Sequence, residues 1–229
     1  MFLEIQIPES SFYIISCTKI LGYVIISKDN VLIEFHLLPK YIPQCRSIFS
    51  FVLKNLKINS IYCKSFDALL LRCCMSEVLN YKIIGHLFRD RIKPAAVEIN
   101  VLLTKSKASR EDYPLLVEYS DNVFENDNEI SDYIDKELIL IYRNAGEFVG
   151  YGIFAGINEN RNYYDIGMYV NPAFRKQGYA AYIIKDLAMM CEENNHRPVL
   201  GCSANNVASK RAIENAGFVS KHTMLEFYN

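Results

Sequence analysis

The stretch Arg175-Lys176-Gln177-Gly178-Tyr179-Ala180 decides how this chain is read. It lies between an apolar and aromatic run, Tyr164 to Val170, that predicts a strand, and a helical stretch predicted from Tyr179 to Asn194. A helix start leaves its first N–H groups without carbonyl partners and carries partial positive charge. A phosphate or diphosphate therefore binds there without side-chain help. Gly178 permits dihedrals closed to other residues and lets the backbone approach an anion closely. Ala180 keeps the next approach point small, while Arg175 and Lys176 add positive charge. A basic pair before a glycine is also what an ordinary solvated helix start looks like, so the strand-before, helix-after setting carries the anion-site reading.

Working outward, Leu21-Gly22-Tyr23-Val24-Ile25-Ile26 echoes Val149-Gly150-Tyr151-Gly152-Ile153-Phe154. After each comes an apolar strand ending near a proline (Val31 to Pro39; Tyr164 to Pro172), then a helix, a short strand, a second helix and a last strand. In the first copy the expected strands are Phe2–Ile7, Phe12–Cys17, Leu21–Ser27, Val31–Leu38, Ile58–Cys63 and Tyr81–Phe88, with helices Tyr41–Leu56 and Phe66–Leu79. In the second they are Val97–Leu103, Leu138–Tyr142, Phe148–Phe154, Tyr164–Val170, Pro198–Cys202 and Phe218–Phe227, with helices Tyr179–Asn194 and Val207–Ala216.

The copies differ in one respect. The second has two extra helical segments, about Ser109–Tyr119 and Glu125–Lys136, where the first has only Pro8-Glu9-Ser10-Ser11, too short for helices. Arg89-Asp90-Arg91-Ile92-Lys93-Pro94 reads as a linker, which divides the chain into lobes 1–93 and 94–229. The expected class is α/β, of the α+β kind. Each lobe is a mixed, mostly antiparallel sheet flanked by helices, and the N-terminal lobe lacks the first two helices.

Apolar residues make up 51% of the 229 and charged residues 22%, so a packed core is expected and disorder is not. A net charge of −1 argues against holding nucleic acid or an anionic membrane by a bulk basic field. The seven cysteines follow no paired spacing, so neither a disulfide framework nor a metal site is expected. Met1-Phe2-Leu3-Glu4-Ile5 has no basic start before an apolar run, and a reducing cytoplasm is the expected setting.

In this setting Arg175, Gly178 and Ala180 resemble motif A of the GCN5-related N-acetyltransferases (GNAT), Arg/Gln-x-x-Gly-x-Gly/Ala between a strand and a long helix. Asn206-Val207-Ala208-Ser209 followed by Glu214-Asn215-Ala216-Gly217-Phe218 resembles that family's Asn-x-x-Ser/Ala…Glu-x-x-Gly-Phe signature. The run from Cys191 to Phe218 looks most like the glycine N-acyltransferase and zwittermicin-resistance-type subgroup, whose members often carry a degenerate first lobe. From its own residues, Asn206 either caps the following helix or hydrogen-bonds a ligand.

The resemblance implies acetyl-CoA as acyl donor, with its diphosphate on Arg175, Lys176, Gln177, Gly178, Tyr179 and Ala180. It implies a contact from Asn206, with Ser209 beside it, and a pantetheine arm paired with the backbone of Met168, Tyr169 and Val170. It also implies a bulge in strand Tyr164–Val170 that aims an N–H at the thioester oxygen. The first copy has Pro39-Lys40-Tyr41-Ile42-Pro43-Gln44-Cys45-Arg46 at this place, without glycine, and is not expected to bind the cofactor. Its expected role is to cover sheet and shape the acceptor cleft.

Transfer to an amine needs a base. Asp165, Glu147, Glu226 and His222 are candidates; each reads more readily as a surface charge than as a base, and Asp165 is preferred among them because its strand passes the thioester in the resembling family. In an unbroken strand, however, Asp165 and Val170 face opposite sides. The resembling family often takes its acid from a tyrosine four residues before the glycine of Gly-Phe, and here that residue is Ile213. Tyr163, Tyr164 and Tyr169 line an aromatic acceptor cleft or simply pack the sheet. The expected function is an N-acetyltransferase acting on a primary amine of a small molecule or amino acid. A protein or peptide N-acetyltransferase and a catalytically silent acyl-CoA-binding module are the alternatives.

Overall fold

The computed structural model describes residues 10–77, 79–92, 103–120, 123–124, 126–158 and 161–228. The expected strand Phe2–Ile7 and nearly all of Val97–Leu103 lie outside these residues. The chain forms two compact units. The first comprises residues up to Leu87 together with Gly201–Asn205 and the stretch from Ser220, and the second comprises Phe88–Leu200 and Asn206–Val219. This grouping differs from a cut by chain order at residue 93, because the end of the chain belongs with the first unit.

In the first unit the elements are β1 (Ser11–Ser16), β2 (Ile20–Ile26), β3 (Val31–Leu37), α1 (Cys45–Asn55), β4 (Ser60–Lys64), α2 (Ala68–Ser76) and the start of β5 (Asn80–Arg91). The expected helix from Tyr41 begins later: Pro39–Gln44 is a 3-10 turn, with Pro43 inside it, and the α-helix starts at Cys45. The expected linker from Arg89 is corrected too. Arg89, Asp90 and Arg91 continue β5, which is held beyond its end by Ile92 N–H to Gly217 O and by Arg91 Nε–H to Ala216 O. A polar sequence reads as linker until those backbone partners, more than a hundred residues away, are known.

Alternation sets the two faces of this sheet. Val24, Ile26, Phe35 and Leu37 turn inward and are buried with Phe49, Val52, Leu70, Cys73 and Cys74 of α1 and α2. The opposite face carries Phe12, Ile14, Tyr23 and His36, with Phe12 60% and Ile14 58% exposed. The sheet runs β1-β2-β3-β4 and then takes the last strand of the chain, β11 (Phe218–Tyr228), antiparallel to β4 with Met224 opposite Lys64 and Phe227 opposite Ile61.

The second unit repeats this order with the extra helices in place. β6 (Thr104–Lys107) is followed by α3 (Tyr113–Glu118), α4 (Asp127–Asp135), β7 (Ile139–Asn144), β8 (Glu147–Asn158), β9 (Arg161–Val170), α5 (Tyr179–Glu193), β10 (Arg197–Ser203) and α6 (Val207–Asn215). Its strands run β6-β7-β8-β9-β10, antiparallel except for the last pair. α5 buries Ile183, Ile184, Leu187, Ala188 and Cys191, an i, i+4 stripe, and stops where Asn195 turns to φ +56° and His196 N–H bonds Cys191 O. On the other sheet face Leu116, Phe124, Ile130 and Ile134, from α3, α4 and the loop between them, are buried, and the Phe124 ring stacks on Tyr151 of β8. Among the described residues, no helix of the first unit packs on its equivalent face.

Candidate functional site

The site is built from the end of β9, the loop after it and the start of α5. Parallel pairing of β9 with β10 runs only from Tyr163↔Arg197 to Asp165↔Val199, so Ile166 to Val170 have no registered partner on that edge. Asn171 N–H bonds Val149 O across β8, which fixes the direction of the backbone groups before it. By alternation Tyr169 and Gly167 face β8, and the N–H and C=O groups of Ile166, Met168 and Val170 face the open edge. Met168 and Val170 thus offer main-chain groups to an extended ligand, whereas those of Tyr169 are spent in the sheet.

The expected bulge in this strand is not found. Against β8 the register is unbroken from Val170↔Gly150 to Tyr164↔Gly156, and the shift lies beyond, between Gly156 and Asn158. Early loss of the β10 partner, rather than a bulge, is what opens these groups. An unbroken strand also places Asp165 on the Tyr169 side, opposite Met168 and Val170. There it lies near Tyr133 of α4, whose phenol is pushed up to about 12 by burial first, then by Glu129 and Asp165.

After Val170, Asn171 pins the strand end. Its amide donates to Phe148 O at 3.0 Å and its Oδ1 accepts from Ala173 N–H at 3.1 Å, starting the 3-10 turn Pro172–Phe174. The sequence signal for this was the Asn-Pro dipeptide, a turn initiator. Lys176 and Gly178 then adopt φ +63° and +88°, and Gly178 caps α5 without any side-chain hydrogen bond. The caps of α2, α4 and α6 instead accept through Asp67, Asn126 and Asn206. The first N–H groups of α5 therefore depend on a partner outside the helix.

Individual residues divide by role. Arg175, Lys176, Gln177 and Gly178 are exposed, Gln177 donates to Ala173 O, and Arg175 Nε–H donates to Val170 O at 3.0 Å with its guanidinium 5.5 Å from the Tyr169 ring centre. Tyr179 is buried with its ring edge-on to Phe174, so only its backbone remains for a ligand, and Ala180 is half-buried. Asn206 Oδ1 accepts Ser209 N–H at 3.0 Å and caps α6. Tyr169 is 7% exposed and stacked on Tyr151, which makes it a packing residue rather than a cleft lining. Arg175's bond to Val170 and Tyr133's place beside Asp165 had no signal in the sequence.

The first unit shows the same site without its loop. β3 pairs with β4 only at Val31↔Ser60 and Leu32↔Ile61, so the strands part as β9 and β10 do. The turn Pro39–Gln44 then runs straight into α1, with Cys45 N–H bonded to Ile42 O. Among the described residues no group of His, Cys, Asp or Glu is placed to hold a metal ion, and no helix is long and apolar enough to cross a membrane.

Two family models and several solved structures match this chain. Residues 1–91 match the model of an acetyltransferase (GNAT) domain, and residues 104–218 match that of the acetyltransferase (GNAT) family. Among solved structures, a GNAT-family acetyltransferase from Colwellia psychrerythraea superposes with a TM-score of 0.86 at 17% identity, over 96% of this chain and 86% of that one. A GCN5-related N-acetyltransferase from Sphaerobacter thermophilus gives 0.61 at 13% identity, over 90% and 79%. At such identities the likeness is one of fold. No curated protein matches the chain by sequence. Two successive GNAT matches, the second spanning half of the sequence, place this chain in the GNAT acetyltransferase family.

Proposed function

We propose that this chain is an acetyl-CoA-dependent N-acetyltransferase that acetylates a primary amine of a small molecule or amino acid in the cytoplasm. The observation that carries the reading is the open edge of β9 leading, through two positive-φ residues, to an α5 start with no side-chain cap. Main-chain groups of Met168 and Val170 suit the amides of a pantetheine arm. N–H groups from Lys176 to Ala180 suit a diphosphate, with the Lys176 charge beside them. Asn206 and Ser209 border the coenzyme from α6, and Asp165 is the proposed base. The first lobe, in which Pro43 lies inside an unbroken turn, binds no coenzyme, so each chain takes one.

One observation favours a silent acyl-CoA-binding module as second reading. Ile213, 2% exposed, stands where the resembling family often carries its tyrosine acid. Acetyl-CoA at a hundredfold excess over its dissociation constant should raise stability by about 2.7 kcal/mol, with one site per chain. Thiol release with a panel of small amines should follow. Gly178→Asp, adding bulk and negative charge, should remove the shift while the protein stays folded. No shift in the wild type sinks the coenzyme reading; a shift without thiol release for any amine selects the silent module.

A further inference from the structure

We propose that Arg175 is a strap that holds the loop in its anion-accepting shape, and that its guanidinium is not a phosphate ligand. This rests on the reading of the loop as the diphosphate site and assigns a role to one residue within it. Sequence alone counts Arg175 as positive charge for the phosphates. The geometry ties it elsewhere.

Nε–H donates to the Val170 carbonyl at 3.0 Å, which closes the turn across residues 170 to 175, and the guanidinium lies over the Tyr169 ring at 5.5 Å. What the turn needs is a planar N–H donor four bonds from Cα, whose reach and direction match the Val170 carbonyl; the guanidinium plane also lies toward the ring face. Arg175 is itself extended, at φ −68° and ψ 159°, so the chain leaves the 3-10 turn here instead of continuing it. Lys176 and Gly178 then take their left-handed conformations, which place the following N–H groups in the loop rather than in a helix. The strap also fills Val170 C=O, leaving Met168 N–H, Met168 C=O and Val170 N–H as the groups for an extended ligand.

The internal repeat supplies an independent comparison. Leu37 matches Val170, since Gly22↔Leu37 repeats Gly150↔Val170, and both turns begin at a proline two residues on, Pro39 and Pro172. Counting without gaps sets Ile42 against Arg175, Pro43 against Lys176 and Cys45 against Gly178. With Ile42 in place of the strap, the turn does not break: Cys45 N–H bonds Ile42 O and α1 follows directly. Three residues differ there, and substitution in the second lobe isolates the contribution of the arginine.

Arg175→Gln places an uncharged amide nitrogen the same number of bonds from Cα as Nε. Arg175→Lys keeps the charge but moves its nitrogen one atom further and has no plane to lie on Tyr169. Amide exchange at Lys176–Ala181 is measured in the ligand-free proteins, and acetyl-CoA affinity by calorimetry at two salt concentrations. Arg175→Gln should keep exchange and affinity within about threefold and leave the salt dependence unchanged. Arg175→Lys should exchange faster in the loop and bind about tenfold more weakly. The opposite order, with Arg175→Lys like wild type and Arg175→Gln weaker with a flatter salt dependence, makes Arg175 a phosphate ligand and overturns the strap. Unchanged loop exchange in Arg175→Lys overturns it as well. A wild type that does not bind acetyl-CoA removes the functional reading, and the exchange comparison still decides the strap.

Discussion

Gly150 lies so close under the carbonyl of Tyr169 that a Cβ placed on it would stand 2.1 Å from that oxygen, and Gly22 repeats the relationship with His36 at 1.9 Å. A backbone carbonyl cannot yield as a side chain does, so each glycine sets the spacing between its strand and the next. In β8 that next strand is β9, whose far edge is the proposed coenzyme edge. Gly150→Ala is expected to cost about 3 kcal/mol of stability, as overpacking against backbone does, and to weaken acetyl-CoA binding by shifting β9. Gly22→Ala should cost a similar amount without changing the affinity of the molecules that remain folded. Chemical denaturation and calorimetry check both. A Gly150→Ala protein of wild-type stability would show that the close approach is mistaken.

Those glycines explain why the repeat was legible. The Gly-Tyr pairs at 22–23 and 150–151 are local, and each dictates the same packing: Tyr23 stacks on His36 at 4.9 Å and Tyr151 on Tyr169 at 5.3 Å. The starts of α5 and α6 and the left-handed turn at Gly178 are likewise encoded within a few residues. The partner of a strand is not. Nothing in Thr223-Met224-Leu225-Glu226-Phe227 says that β4 lies beside it, because register with a distant strand depends on the whole layer. The direction of Arg175 was hidden for a similar reason, since its acceptor is a main-chain carbonyl that any residue at position 170 would supply.

Asn206 can serve two partners. Its Oδ1 caps α6 through Ser209 N–H, while its amide nitrogen is of the right kind to donate to a coenzyme carbonyl, as the resemblance implies. Asn206→Asp keeps the cap and loses the donor, so unfolding should stay within a few tenths of a kcal/mol of wild type while acetyl-CoA affinity falls about tenfold. Asn206→Ala loses both, at about 1 kcal/mol. Equal affinity in Asn206→Asp and wild type would leave Asn206 as a cap alone.

Residues 94–229 should not fold independently. Leu225 and Phe227 of β11 are buried in the first unit's core, and Thr223 exchanges hydrogen bonds with Ser65 at 2.9 and 3.0 Å. Removing residues 1–93 takes away β4 and exposes both side chains, at roughly 1.5–3 kcal/mol each. The fragment should melt without a cooperative transition, by circular dichroism, and its β11 amides should exchange fast. A cooperative melt at the temperature of the whole chain would show that β11 does not depend on β4.

Asp165 as base makes a prediction that combines rate and titration. An acceptor amine must lose its proton, so Asp165→Asn should suppress transfer or move its optimum to higher pH, where solvent does the work. The same substitution removes one of the charges that raise the Tyr133 phenol to about 12, so that phenol should titrate lower, as read by ring-carbon resonances. A phenol with a raised folded value contributes stability that is present below about pH 10 and lost as pH climbs toward 12. Lowering it should therefore narrow the pH span of the alkaline loss and make that loss smaller, its onset near pH 10 being set by the unfolded phenol, while leaving neutral stability nearly unchanged. A Tyr133 shift with an unaltered pH–rate profile would keep Asp165 as Tyr133's neighbour and remove it as the base.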